Sequence, residues 1–374
     1  VSVKEKILTY FKNLEDPCLE DFACTVLDDP FEQKNSTVKV CFQYIQTMQT
    51  KAALPAVLRL IENENEDYFN DALLAVGEIG GSSEAVMLTS FLENSEFSDA
   101  KKQHLMKALG KIHAVETWDK LCEVAKDEDE NLFVRMYAAE AIGAMGKLES
   151  VPILVDLYES SDPNLRQYAL KGLEYFPDVL EAKKVIVQAV RDDHYKVRLE
   201  AIGAVKNQKL LEAVPYLIYR AKNDPEEKVK LNCFEVLAVL NTKEGNEFLI
   251  SRVTERKVSD SLKSKAVEVL LKEGNAGKVE IKELCIKAAS DDKLKVLRQA
   301  LGKHISKYPD PMFDEICIKY LESKDNTTQS QGLEMYQNGK YDTAVPFVRK
   351  IAEDKKANSG NKKRARRLLG LEEE

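Results

Sequence analysis

The chain has 374 residues, 44% of them hydrophobic and 32% charged, with only 16 glycines and 11 prolines, a mixture closer to helical repeats than to a glycine-rich sheet protein. No apolar run reaches the roughly 18 residues that a membrane-spanning helix needs. The net charge of −8 hides an asymmetry: residues 1–150 carry 15 Lys/Arg against 27 Asp/Glu, and residues 151–374 carry 40 against 36, so the front half would repel a phosphate backbone.

Residues 1–50 contain two stretches of helical apolar spacing, Cys18 to Leu27 and Thr37 to Met48, around a turn at Asp29-Pro30. They read as a divergent N-terminal helical capping region. From residue 51 onward a period emerges. Proline opens an apolar helix at Ala53-Leu54-Pro55, Val151-Pro152-Ile153, Val214-Pro215-Tyr216 and Val345-Pro346-Phe347, with separations of 97, 63 and 131 residues. These divide into steps of about 32 to 33, the length of a two-helix repeat, and proline suits a first helical turn because its missing N–H would be unpaired there anyway.

Gly77 to Gly81 lies at the end of a predicted helix and lacks the strand and the Lys-Ser/Thr ending of a phosphate loop, so it reads as a helix stop. Trp118, the sole tryptophan, opens a first helix and is expected to pack against a neighbouring repeat. Farther along, an aliphatic residue followed by a cation recurs at Val134-Arg135, Leu165-Arg166, Val197-Arg198, Val229-Lys230, Leu262-Lys263 and Leu297-Arg298, the cations 31, 32, 32, 33 and 35 residues apart. Three residues beyond each cation stands Ala138, Ala169, Ala201, Cys233, Ala266 or Leu301. The aliphatic residue and its i+4 neighbour share one helix face, and the small side chain admits the next helix closely. Acidic turns, Asp127 to Glu130, Ser161-Asp162-Pro163, Asp192-Asp193, Asn223-Asp224-Pro225 and Asp291-Asp292, precede the second helices, and the recurrent cation is expected to pair with them along the ridge.

Asp-Pro followed by Val-Arg-x-x-Ala and an apolar run resembles the HEAT repeat, in the compact form shared with phycobilisome-lyase-like proteins. Asp129 to Gly146, Ser161 to Tyr175 and Asp192 to Val205 carry the resemblance. It implies an all-α, right-handed α-solenoid (superhelix) of about ten two-helix HEAT-like repeats, elongated and spanning 51–374, with limits near 51–83, 84–116, 117–149, 150–181, 182–212, 213–244, 245–277, 278–311, 312–342 and 343–371. Second helices of such arrays line a long concave surface.

Chemistry is sparse. His104, His113, His194 and His304 lie far apart, and none begins a His-Glu pair. Deoxyhypusine hydroxylases share the architecture but draw their iron ligands from repeated His-Glu pairs, a pattern this chain lacks. No metal site, cofactor or catalytic residue is assigned. The seven cysteines include no Cys-x-x-Cys pair and read as small buried hydrophobes. They favour the reducing cytoplasm; export with a signal peptide removed before Val1 is the alternative. Asn35-Ser36-Thr37 and Asn326-Thr327-Thr328 match the glycosylation sequon, which matters only in a secreted protein.

A partner site is placed on the second helices. Taking Val134, Ala138, Ala141 and Met145 as core-facing leaves Met136, Glu140 and Gly143 exposed and Tyr137 on the flank. The repeat step sets Tyr168 beside Tyr137 and Lys171 beside Glu140, with Tyr175 and Phe176 following. Tyr137, Glu140, Tyr168 and Lys171 are therefore the candidate partner-binding residues of a non-enzymatic scaffold for a protein or peptide. The alternatives are an enzyme on a HEAT-like fold and a nucleic-acid binder through residues 340–367, where ten Lys/Arg face three Asp/Glu, close to the compensating Glu372-Glu373-Glu374.

Overall fold

The computed structural model describes residues 2–93, 97–274 and 276–371; the acidic triplet 372–374 lies outside the described residues. Among them are 23 α-helices and no strand. The chain divides into two compact units, Val1–Ala204 and Val205–Glu374.

The first unit opens with α1 (Val3–Asn13) and continues in hairpins: α2 (Glu20–Asp28) with α3 (Asn35–Met48), α4 (Leu54–Glu62) with α5 (Phe69–Ile79), and α6 (Ser82–Ser90) with α7 (Asp99–Ile112). Then follow α8 (Trp118–Lys126) with α9 (Leu132–Ala144), α10 (Ser150–Tyr158) with α11 (Pro163–Glu174), and α12 (Leu180–Ala189) with α13 (Tyr195–Gln208), the last few residues of which fall in the second unit. From α3 to α9, each second helix packs on its own first helix and on the second helices before and after it: α3 touches α2, α1 and α5, and α9 touches α8, α7 and α11. This is α-solenoid construction, in which neighbours bury what one hairpin cannot.

The second unit repeats the plan with α14 (Val214–Asn223) and α15 (Glu227–Leu240), α16 (Lys243–Thr254) and α17 (Asp260–Lys272), and α18 (Lys278–Ser290) and α19 (Lys295–Lys307). It closes with α20 (Asp314–Leu321) and α21 (Asn326–Gly339), then α22 (Val345–Glu353) and α23 (Ser359–Leu368). The row of second helices α15, α17, α19, α21 and α23 is continuous. The expected repeat limits fall close to the helix pairs, with α6, α12 and α16 each starting two residues early.

Local chemistry explains the punctuation. Pro55, Pro215 and Pro346 occupy the first two positions of their helices, as does Pro163, whereas Pro152 stands one place deeper, third in α10. Asp162 caps α11 by accepting from the amides of Asn164 at 2.8 Å and Leu165 at 3.2 Å, satisfying donors that the first turn leaves unpaired. After the acidic run 127–130, the cap of α9 is Asn131 instead. Gly77 lies inside α5, and the stop comes at Gly80 and Gly81.

The recurrent arginine does more than the expected carboxylate pairing. Arg135 donates to the Ala125 carbonyl at 3.2 Å, Arg198 to the carbonyls of Asp192 and Asp193, and Arg298 to those of Ala288 and Asp291. It closes the C-terminal end of its own first helix, where unpaired carbonyls and the helix dipole favour a cation. Arg166 adds a fork to the next hairpin, reaching both Asp192 oxygens at 2.9 Å and Asp193 at 2.6 Å.

Candidate partner-binding face

The helix α9 is apolar on more than one side because it packs against four helices, α7, α8, α10 and α11. Val134, Ala138, Ala139, Ala141 and Ile142 are buried, and so are Met136 and Met145. The sequence reading that left Met136 and Gly143 exposed is therefore corrected: Met136 is enclosed, and Gly143 is pressed against Gly172 on α11. Phe176 is likewise buried, whereas Tyr175 is 50% exposed.

The four residues singled out by the repeat step stand together. Tyr137 on α9 and Tyr168 on α11 meet edge to face with ring centroids 5.1 Å apart. The Lys171 ammonium lies 4.2 Å from the Tyr168 ring centroid and 4.0 Å from a Glu140 oxygen. Lys107 of α7, 30 residues before Tyr137, stands 4.4 Å from the centroid of the Tyr137 ring. A hydrogen bond from Tyr168, opposed by burial and helped by Lys107, lowers the Tyr137 phenol below its ordinary value. Burial, with the bond to Tyr137, pushes Tyr168 up. The tyrosines thus pack on one another, half-buried, rather than standing free.

Two adjoining clefts flank this pair. One, about 430 Å³, is lined by Glu140, Lys171, Glu174, Tyr175 and Glu200. The other, about 270 Å³, is bordered by Lys107, Lys111, His113, Tyr137, Glu140 and Tyr175 among others. Tyr175 and Glu140 belong to both. Glu200 is steadied by the Gln167 amide at 2.8 Å, and Lys111 pairs with Glu78. Glu174, Glu200 and Lys107 were not singled out from the sequence, and Tyr175, noted there as an aromatic following Tyr168, was not placed among the four site residues. Tyr175 lies seven residues after Tyr168, two turns along the same helical face, which is the signal that could have found it.

Elsewhere the structure offers little chemistry. Among the described residues no group of three or more His, Cys, Asp or Glu side chains gathers to hold a metal. Five cysteines are buried, Cys24 is half-buried and Cys18 is exposed, and burial pushes the Cys41, Cys285 and Cys317 thiols up to about 12, away from the reactive thiolate. At the basic C-terminal helix, Arg364 donates to Gln337 at 3.0 Å, and Asn361 and Ala365 are buried. No described helix is long and apolar enough to cross a membrane.

The model of the family described as spirochaete HEAT repeat protein matches residues 1–368. A curated relative, deoxyhypusine hydroxylase of Schizosaccharomyces pombe, is 35% identical over 74 residues, 20% of this chain; the match spans only 22% of that enzyme's length. Among solved structures, a chain of the Kap95:Nup1 complex is similar with a TM-score of 0.53 and 12% identity, over 98% of this chain and 58% of that one. A chain of the structure of Kap95p with RanGDP gives 0.52 and 10%, over 94% and 55%. At such identities the structural likeness is one of fold.

Proposed function

Because the chain belongs to the spirochaete HEAT repeat protein family, we propose that it is a non-enzymatic scaffold that holds a protein or peptide segment on the second-helix face of its first unit. The observation that carries this reading is the half-exposed Tyr175 ring standing between two adjoining clefts, with Glu140 common to both. A tyrosine in that setting buries much area at low entropic cost, as interface anchors do. Tyr137, Tyr168 and Lys171 form the supporting floor, and Glu140, Glu174 and Glu200 favour a segment bearing lysine or arginine. The similar folds are found with protein partners, Nup1 and RanGDP, which accords with binding rather than turnover. The short match to deoxyhypusine hydroxylase brings no iron-ligand set, since none of the four histidines is followed by glutamate.

The test is cross-linked capture from the native cell, followed by titration of the purified partner against single variants. Tyr175→Ala should weaken association by about 1–4 kcal/mol with helicity unchanged, and Glu140→Lys should weaken it further at low salt. Tyr219→Ala, at a 58% exposed tyrosine of the second unit, is the control. Normal binding by Tyr175→Ala, with loss in the control, would move the site off this face.

A further inference from the structure

One row of the second-helix face is incomplete. Glu140 of α9 and Lys171 of α11 stand 31 residues apart and meet at 4.0 Å, and the next step, of 32 residues, falls on Gly203 of α13. Two long charged side chains are thus followed by none, and nothing lies within 4 Å of where a Cβ on Gly203 would stand. Glu200, one turn earlier on the same side of α13, accepts from the Gln167 amide at 2.8 Å. It lines the cleft of about 430 Å³ together with Glu140, Lys171, Glu174 and Tyr175, so the gap in the row adjoins that cleft. Three carboxylates there face one ammonium, and that ammonium is already engaged by the Tyr168 ring and Glu140. The other cations of this stretch stand apart from the lining. Lys196, one turn before Glu200, is exposed, and Lys206, one turn past Gly203, bears on Glu235 of α15. The carboxylates surround the aromatic rings: after burial, the charges of Glu140 and Glu174 push the Tyr175 phenol up.

Resting on the scaffold reading of this face, we propose that the gap receives one arginine side chain of the bound segment, its guanidinium laid against the Tyr175 ring and its N–H groups donating to Glu174 and Glu200. The bound arginine supplies the side chain that the row lacks at Gly203. Its apolar stem covers the bare helix backbone there, while its charged head reaches the carboxylates, a division that long cationic side chains make routinely. A guanidinium suits this setting better than an ammonium. It is planar and weakly hydrated, so it stacks on an aromatic face while its edge donors stay directed at carboxylate oxygens. The lysine ammonium is a compact, strongly hydrated charge with no flat face to stack. A divalent cation suits it less well, because among the described residues no three acidic side chains gather closely enough to hold a metal ion. The negative charge is spread around a ring instead of focused on a point.

The test is fluorine NMR of the full chain labelled with fluorotyrosine, the Tyr175 resonance being the one lost in Tyr175→Phe. The probes are N-acetylarginine amide and N-acetyllysine amide, which carry equal charge. The arginine derivative should shift the Tyr175 resonance and saturate at a concentration about tenfold below the lysine derivative. Gly203→Gln, which fills the gap from the helix itself, and Glu200→Gln, which removes one carboxylate at constant size, should each weaken arginine binding about tenfold with the far-UV spectrum unchanged. An equal response to lysine overturns the proposal, as does arginine binding indifferent to both variants, or calcium chloride moving the resonance at a lower concentration than arginine. Because the probes are free amino-acid derivatives, the result does not depend on a captured partner. Arginine bound as expected, beside a captured partner indifferent to Tyr175→Ala, keeps the arginine gap and sinks the scaffold reading alone. A partner that needs Tyr175, but binds normally when its arginines are replaced by lysine, sinks the arginine gap alone.

Discussion

Gly143 of α9 and Gly172 of α11 meet backbone to backbone, so that a Cβ built on Gly143 would fall within the Gly172 main chain. On the other side, a Cβ on Gly172 would lie 2.7 Å from Leu154 and 2.8 Å from the Ala139 carbonyl. The two hairpins approach at this point as closely as helices can, and the Tyr137–Tyr168 pair lies on the same two helices.

Gly143→Ala should therefore destabilise the protein. Alanine normally gains about 1 kcal/mol over glycine within a helix, but here overpacking should reverse the sign and leave a net loss of about 1–3 kcal/mol. Gly203 of α13 faces open space, with nothing within 4 Å of where a Cβ would stand, and Gly203→Ala should show the ordinary gain. Urea midpoints for both variants check the contrast.

Removing the Arg166 side chain should cost more than an exposed ion pair would. Arg166 is 12% and Asp192 5% exposed, and the lost fork strands a buried carboxylate, a change worth about 2–4 kcal/mol. Arg166→Lys should recover part of it, because an ammonium cannot make the planar double contact. Burial pushes the Asp192 carboxyl up, but hydrogen bonds from Arg166 and the His194 amide prevail and hold it below the usual range. A lowered native pKa means that this contribution is present above the unfolded value near about 4 and fades as pH falls. Stability measured against pH should thus lose part of its acid slope in Arg166→Ala.

The attachment of α1 should weaken in acid for a related reason. The Ser36 hydroxyl, against opposing burial and aided by Ser2 and Thr37, lowers the Glu5 carboxyl to about 2. Its contribution is intact above the ordinary glutamate value and lost as pH drops toward about 2. Hydrogen exchange should show α1 amides opening across that window before those of α9, and Glu5→Gln should remove the pH dependence of the difference.

A double-mutant cycle on Tyr137 and Tyr168 should give a coupling of about 0.5–1.5 kcal/mol, the range for edge-to-face rings. Tyr175→Ala should change stability by no more than about 0.5 kcal/mol. Thermal denaturation of the four cycle members and of Tyr175→Ala separates the supporting floor from the exposed anchor.

Much of this was legible in the sequence. Pro55, Pro152, Pro215 and Pro346 sit in the first turns of helices, and the Val-Arg-x-x-Ala step placed Tyr137 beside Tyr168 and Glu140 beside Lys171. What the step could not give was the depth of each side chain. A single apolar stripe describes a helix with one neighbour, but α9 has four, so Met136 is enclosed and Gly143 is pressed against α11 on sides the pattern counts as open. The same reasoning hid the second use of Arg166, which donates to the carbonyls of Ser160 at 2.9 Å and Ser161 at 3.0 Å, because closing a helix through backbone carbonyls leaves no mark on the identity of the residues that supply them.

Trp118 reaches across the seam between hairpins. Its indole N–H donates to Ser150 at 2.8 Å, Ser150 passes a hydrogen bond to the Ile142 carbonyl at 2.8 Å, and the Lys147 ammonium lies 4.0 Å from the ring centroid. As the chain holds no other tryptophan, its fluorescence is a built-in optical gauge of one joint. Loosening where α8 meets α10 would shift the emission colour, while fraying at either terminus would leave it dark to the change.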